Sequence, residues 1–299
     1  MQYINYTIII PHKNIPQMLQ RCLDSIPYRN DLQIIIVDDN SDPNIVDFDQ
    51  FPGFDRSNTD IYFTKESKGA GYARNIGLQH AKGKWLIFAD ADDFFTTSIN
   101  EAMDKYKDDE NDIIYFHIIC TNLVSEKHFN LLLHKIQRKG NWNIAYPLLH
   151  PWGKFVKNDF VKLHNIVYQE TQYSNDELFG IKLLTLSIKK KISNFLIYHK
   201  CNRTENLTSQ RNIDSLYIRF QVTCNTIDYL KKINKEKYMY NQLIYRWMEL
   251  FYHDAKVGRR TFKKVIKTCG LWYVLTGIIW NITAIMRRYI SAKLQKCQA

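Results

Sequence analysis

An α/β fold built on a mostly parallel sheet is predicted by three features of this 299-residue chain. Across the first 120 residues short apolar runs alternate with stretches of helical spacing, the pattern of βαβ units covered by helices on both faces. Several of these runs are followed at once by polar residues, which in open α/β sheets form the ligand crevice beyond the strands' carboxyl ends. The composition, 45% hydrophobic and 24% charged with 11 Gly and 7 Pro, is that of an ordinary globular chain and excludes disordered, collagen-like and disulfide-scaffold classes.

Taken in order, strands are expected over residues 7–10, 33–37, 60–63, 85–89 and 113–117, with helices over 16–25 and 71–81 where Leu, Ile and Ala recur at helical intervals. From about Asn141 the pattern loosens around Trp142, Tyr146, Trp152 and Phe155, as in a lid or substrate-binding extension, before helices resume near Asn158 and Asp176. Residues 212–254 read as one or two amphipathic helices. The domain boundary is placed at 210/211, with residues 1–120 as a donor half, 121–210 as an acceptor half and 211–299 as a basic helical region.

Six cysteines lie scattered without C-x-x-C spacing, which argues against a zinc ribbon and for a reducing compartment. The opening MQYINYTIII has no basic n-region, so the catalytic part is expected in the cytosol. The net charge of +11 is concentrated at one end: residues 211–299 carry 17 Lys and Arg against 5 Asp and Glu, while residues 1–210 carry 24 against 25. After Asp254 no acid occurs at all. Such a segment favours an anionic surface.

Three strand ends deliver polar groups to one rim: Pro11 to Asn14, Asp38 to Ser41, and Asp90 to Asp93. Three carboxylates in four residues repel one another, and a hard cation such as Mg²⁺ or Mn²⁺ suits an Asp-x-Asp shared with substrate phosphates. Capping by Asp92 or Asp93 of a helix starting near Thr96 would explain the same residues. Between the third and fourth strands, KGAGYARNIG (Lys68 to Gly77) opens a helix with glycines and places Arg74 one turn in. Backbone N–H groups and an Arg there can receive phosphate oxygens, or form an ordinary helix entry with a surface Arg. The spacing is not G-x-G-x-x-G, which disfavours a dinucleotide site.

Together YTIIIPHKN (Tyr6 to Asn14), RCLDS (Arg21 to Ser25), VDDNS (Val37 to Ser41), GAGYARNIG (Gly69 to Gly77) and FADADD (Phe88 to Asp93) resemble the N-terminal half of family-2 glycosyltransferases. The resemblance implies a GT-A fold and inverting transfer from a nucleotide-sugar donor with a divalent metal. It implies that Pro11, His12 and Asn14 line the nucleotide pocket, and that Asp39 bonds the base. Gly69, Arg74 and Ala91 would flank the nucleotide and phosphates, Asp90 would face ribose or metal, and Asp92 would be the direct metal ligand. His12, Lys13 and Asn40 depart from the commoner family residues. Farther on, YSNDELF (Tyr173 to Phe179) is similar to the family's Glu-Asp-x-x-Phe segment and aligns Asp176 with its catalytic Asp, although Asn175 stands in place of Glu. Helix capping by Asn175 accounts for the same segment without catalysis. PWGKFVK (Pro151 to Lys157) resembles an acceptor-side segment in which Trp152 would stack on a sugar and Lys154 would accompany it, or a core Trp beside a solvated Lys. Arg203 would reach the leaving diphosphate, or simply lie on the surface, and His199 reads as structural.

Residues 268–286 contain no charged side chain and are flanked by Lys263, Lys264 and Lys267 and by Arg287 and Arg288. As one helix they would extend about 29 Å. Cations at both ends and interior Gly, Thr and Asn favour a helix lying in a membrane interface, with Trp272, Tyr273 and Trp280 at headgroup depth. A buried bundle helix and a true span are the alternatives. The expected activity is therefore glycosyl transfer to a saccharide or lipid-linked acceptor in cell-surface polysaccharide synthesis, peripheral on the inner face of a bacterial membrane, with no nucleic-acid partner. The rivals are a basic nucleic-acid-binding protein, for which no motif is present, and a nucleotidyltransferase, for which the first strand lacks a following Gly-rich loop.

Overall fold

In the computed structural model the described residues are 3–146, 148–201 and 211–282, and the chain forms two compact units, residues 1–205 and 206–299. The first unit is a mixed eight-stranded sheet ordered β3-β2-β1-β4-β7-β6-β8-β5. Its strands are β1 (Tyr6–His12), β2 (Leu32–Asp38), β3 (Thr59–Phe63), β4 (Trp85–Phe88), β5 (Phe94–Phe95), β6 (Ile113–Cys120), β7 (Lys154–Lys157) and β8 (Lys190–Lys200). Strands β1 to β4 pair in parallel, β7 runs against β4 and β6, and β8 is parallel to β6. Both β1 and β2 are buried along their whole length, which is why they read as unbroken apolar runs.

Helices α1 (Pro16–Asp24), α2 (Ala70–His80), α3 (Ser98–Tyr106), α4 (Leu123–Lys139), α5 (Asn158–Leu163) and α6 (Glu177–Leu186) connect them. The chain steps from β1 outward to β2 and β3, then returns past them to place β4 on the other side of β1. With this strand order, the right-handed crossover rule assigns α1 and α2 to opposite faces and a switch point between β1 and β4.

Four elements differ from the sequence expectation. The supposedly loose region supplies β7, at the centre of the sheet, and the 17-residue α4 precedes it. Helix α3 begins at Ser98 with Thr97 as N-cap and no side-chain cap bond, so neither Asp92 nor Asp93 caps it. The N-cap of α6 is Asp176 rather than Asn175, again without a side-chain bond.

The second unit contains α7 (Ile213–Lys231), α8 (Lys237–His253) and α9 (Ala255–Cys269). Residues 268–286 do not form one continuous helix: α9 ends at Gly270, whose φ of +83° is a conformation few other residues adopt, and a new segment, α10 (Leu271–Ile282), leaves at 115°. Among the described residues no single helix is long and apolar enough to cross a membrane. Residues 202–210 and 283–299, with Arg203, Arg287 and Arg288, lie outside the described residues.

Candidate active site

The loops after β1 and β2 are stitched into one frame. His12, 2% exposed, donates from Nδ1 to Asp38 Oδ2 (2.7 Å), while its Nε2 accepts the Ile15 N–H (3.2 Å), which fixes the tautomer. Asp38 also accepts from Ser41 N (2.9 Å) and Oγ (2.6 Å). Burial alone would raise the Asp38 pKa, but these hydrogen bonds hold it below the usual carboxylate range. Asn14, with φ +57°, accepts the Asp42 N–H on Oδ1 (2.7 Å) and donates its own N–H to Ser41 Oγ (2.8 Å). The His12 side chain therefore supports the loops from within, and Pro11 is buried with it.

Asp39 is 4% exposed and accepts the Gly69 N–H on Oδ2 (2.8 Å), with Lys13 Nζ at 3.8 Å. Its Oδ1 is buried without a protein partner, an arrangement that a donor on a bound base would complete. Gly69 has φ +92°, and Gly71 passes so near the Gln169 carbonyl that a Cβ there would lie 2.2 Å from its oxygen. The start of α2 is thereby clamped against the segment that precedes α6.

Arg74 ties the distant parts together. Its guanidinium, 5% exposed, donates from Nη2 to Asp90 Oδ1 (2.6 Å) and from Nη1 to Asn175 Oδ1 (3.0 Å), 101 positions away. It lies over Tyr168 (5.3 Å to the centroid), which stacks on Phe179 at 3.8 Å. Burial alone would lower its pKa; the Asp90 charge, with Asp176 behind it, outweighs burial and raises it.

Asp90, Asp92 and Asp93 bring carboxylate oxygens within 4.8 Å of one another, and Ala91 between them is buried. Hard oxygen donors at this closeness fit a divalent cation. Asp93 shows the strain of their company: burial first, then repulsion from Asp90 and Asp92, pushes its pKa up to about 8. It accepts from Tyr198 Oη (2.8 Å) and Cys201 N (2.7 Å), and Tyr198 Oη in turn accepts the Asp90 N–H (2.9 Å).

A pKa raised on folding stabilises the fold fully below the unfolded value and loses that contribution as pH rises through the folded value. Without metal, urea stability is expected to fall between about pH 4 and pH 8 because of Asp93. Asp93→Asn should flatten that slope, and Mn²⁺ should restore stability at the alkaline end of the wild-type profile. A wild-type profile identical to that of the variant would refute the assignment.

Asp176, at the head of α6, has its side chain 28% exposed with His150 Nδ1 at 4.0 Å. Its charge acts on Arg74, Lys154 and Tyr168. Although its side chain is half-exposed, desolvation on the packed side of the ring, with the Lys154 and Lys200 charges, lowers the His150 pKa against the opposing pull of Asp176.

The two residues expected on the acceptor side, Trp152 and Lys154, are both buried. Trp152 is 4% exposed, stacked with His150 (4.5 Å) and Tyr198 (5.7 Å), so the exposed ring of that pile is His150. Lys154 is 2% exposed, and Nζ donates to the Leu148 (3.1 Å) and His150 carbonyls; desolvation brings its pKa down to about 7. It fixes the loop carrying His150 and is not a solvated cation. The contacts of Tyr198 and Asn175 had no local signal, since their partners lie about 100 positions away in the chain.

The glycosyl transferase family 2 model matches residues 7–162, more than half the chain. The chain belongs to this family. Poly(ribitol-phosphate) beta-glucosyltransferase of Bacillus spizizenii is 33% identical to this family-2 glycosyltransferase over 93 residues, 29% of this chain and 15% of that one. Staphylococcus aureus TarS 1-349 in complex with UDP-GlcNAc superposes with TM-score 0.62 at 16% identity, covering 92% of this chain and 80% of that one. Mannosyltransferase PcManGT from Pyrobaculum calidifontis, in complex with GDP-Man and Mn²⁺, gives 0.56 at 14%, covering 94% and 87%. The fold is GT-A. The chain spans only 24% and 45% of the lengths of the first two curated relatives it matches, both glycosyltransferases by name.

Proposed function

We propose that this family-2 enzyme is an inverting transferase that moves a sugar from a nucleotide-sugar donor to a saccharide or lipid-linked acceptor in cell-surface polysaccharide synthesis, at the cytosolic face of a membrane. The observation that carries the reading is the Arg74 bridge, which links the Asp90–Asp93 cluster to the segment bearing Asp176. Asp39 Oδ1 would accept from the base, and Arg74 would hold the phosphate side of the pocket in register. Asp176 would take the proton from the acceptor hydroxyl as its oxygen attacks the anomeric carbon opposite the departing nucleoside diphosphate. Asp92 and Asp90 would hold Mg²⁺ or Mn²⁺, which when bound offsets the negative charge developing on that leaving group.

A panel of nucleotide sugars measured by thermal shift with and without Mn²⁺ tests this. One donor at a hundredfold excess over its Kd should stabilise the fold by about 2.7 kcal/mol, a rise of roughly 5–10 °C. Failure of every donor to shift the transition in Mn²⁺ would overturn the reading. The glucosyltransferase name of the Bacillus relative and the UDP-GlcNAc and GDP-Man complexes favour starting with these sugars.

A further inference from the structure

The break at Gly270 separates two helices of opposite character. Helix α9 exposes Lys256, Arg259, Arg260, Lys263, Lys264 and Lys267, and no acid occurs between Ala255 and Ile282. Its apolar side is spent on α8, with Phe262 stacked on Trp247 at 4.9 Å and Gly258 fitted against Phe251. Helix α10 carries no charge in its described residues, and one face of it is seated on α8. Val274 is fully buried, Gly277 is packed on Ile244, Tyr273 meets Tyr240 edge-on at 5.3 Å, and Asn281 Nδ2 donates to Asn241 Oδ1 (2.7 Å).

The other face of α10 is apolar and open. Trp272 is 75% exposed, Ile279 72% and Trp280 80%, with Leu275 and Ile282 beside them at helical spacing. Two tryptophans so exposed on a helix anchored from behind form a fixed surface patch that is costly to keep in water.

We propose that α9 and α10 together form a docking face for an anionic lipid bilayer. The open face of α10 enters the headgroup region with Trp272 and Trp280, and the cations of α9 meet lipid phosphates. This occupant is favoured over a protein because the patch pairs an apolar aromatic face with a cationic helix free of acids, the chemistry of interfacial helices. Twelve residues of α10 extend about 18 Å, short of the roughly 30 Å of a hydrocarbon core, so the described segment lies in the interface. The inference deepens the membrane part of the proposed function, and vesicle binding is measured without donor or acceptor, so it can fail while the transferase reading stands.

The test is cosedimentation of the full chain with vesicles of equal parts phosphatidylcholine and phosphatidylglycerol, and with phosphatidylcholine alone. The wild type should pellet with the mixed vesicles and mostly remain in solution with the neutral ones. Arg260→Gln with Lys263→Gln should weaken binding to mixed vesicles about 30-fold, at about 5-fold per cation, and leave neutral-vesicle binding unchanged. Trp272→Ser with Trp280→Ser, whose side chains contribute little to the packing on α8, should weaken binding about a hundredfold while the circular dichroism melt is preserved. Absence of wild-type binding to mixed vesicles, or indifference to the Trp pair, would overturn the proposal. So would conversion of a dimer to a monomer by the Trp pair, which would assign the face to a second copy. Tight, salt-sensitive binding to a fluorescent single-stranded RNA without vesicle binding would assign it to nucleic acid.

Discussion

Asp176→Asn is expected to lower sugar transfer by roughly 10²–10⁴-fold, the range in which a positioned general base contributes, and to leave donor binding in Mn²⁺ intact. The substitution keeps the shape of the side chain and removes only its capacity to take a proton. Helix α6 should not suffer: Asp176 is its N-cap residue but makes no side-chain cap bond, and Asn is equally favoured there. Arg74 keeps its direct partners, Asp90 and Asn175. Loss of the Asp176 charge should lower the His150 pKa further, because that charge is what raises it. The informative measurement is single-turnover transfer beside the donor-induced thermal shift. A variant that keeps both would remove Asp176 as the base; one that loses both would mean that its charge serves the donor pocket instead.

The reach of local sequence pattern can be read from individual residues. Strands β1, β2 and β4 were legible because a strand buried on both faces is largely apolar, and the rim was legible because polar residues follow these strands directly. Helix α4 was legible in principle: Asn122 accepts the Ser125 N–H at one end, Gly140 takes φ +61° at the other, and Phe129, Leu133 and Ile136 fall on one buried face. By contrast Lys154 looks solvated in sequence, because nothing local says that its ammonium is answered by two carbonyls of the preceding loop. Tyr198 is similar. Its phenol joins Asp90 to Asp93 across 108 and 105 positions, a relation created only when β8 enters the sheet beside β6. The split of residues 268–286 turned on one glycine whose backbone angle, not its apolar neighbours, ends the helix.

Asp92→Ala is expected to remove the Mn²⁺-dependent part of the donor thermal shift and to lower transfer by a comparable 10²–10⁴-fold, since a bound cation contributes several kcal/mol at the leaving group. The neighbouring carboxylates are poorly placed to compensate. Asp90 already accepts from Arg74, and Asp93 accepts from Tyr198 and Cys201 with its pKa displaced upward. Asp92 is also one of the two charges that repel Asp93, so its removal should bring the Asp93 pKa back down. Loss of the Mn²⁺-dependent shift separates this variant from Asp176→Asn, which should keep it. If Asp92→Ala retained the full shift in Mn²⁺, the acidic cluster would not be the metal site, and the donor's diphosphate would have to be met by Arg74 and the start of α2 alone.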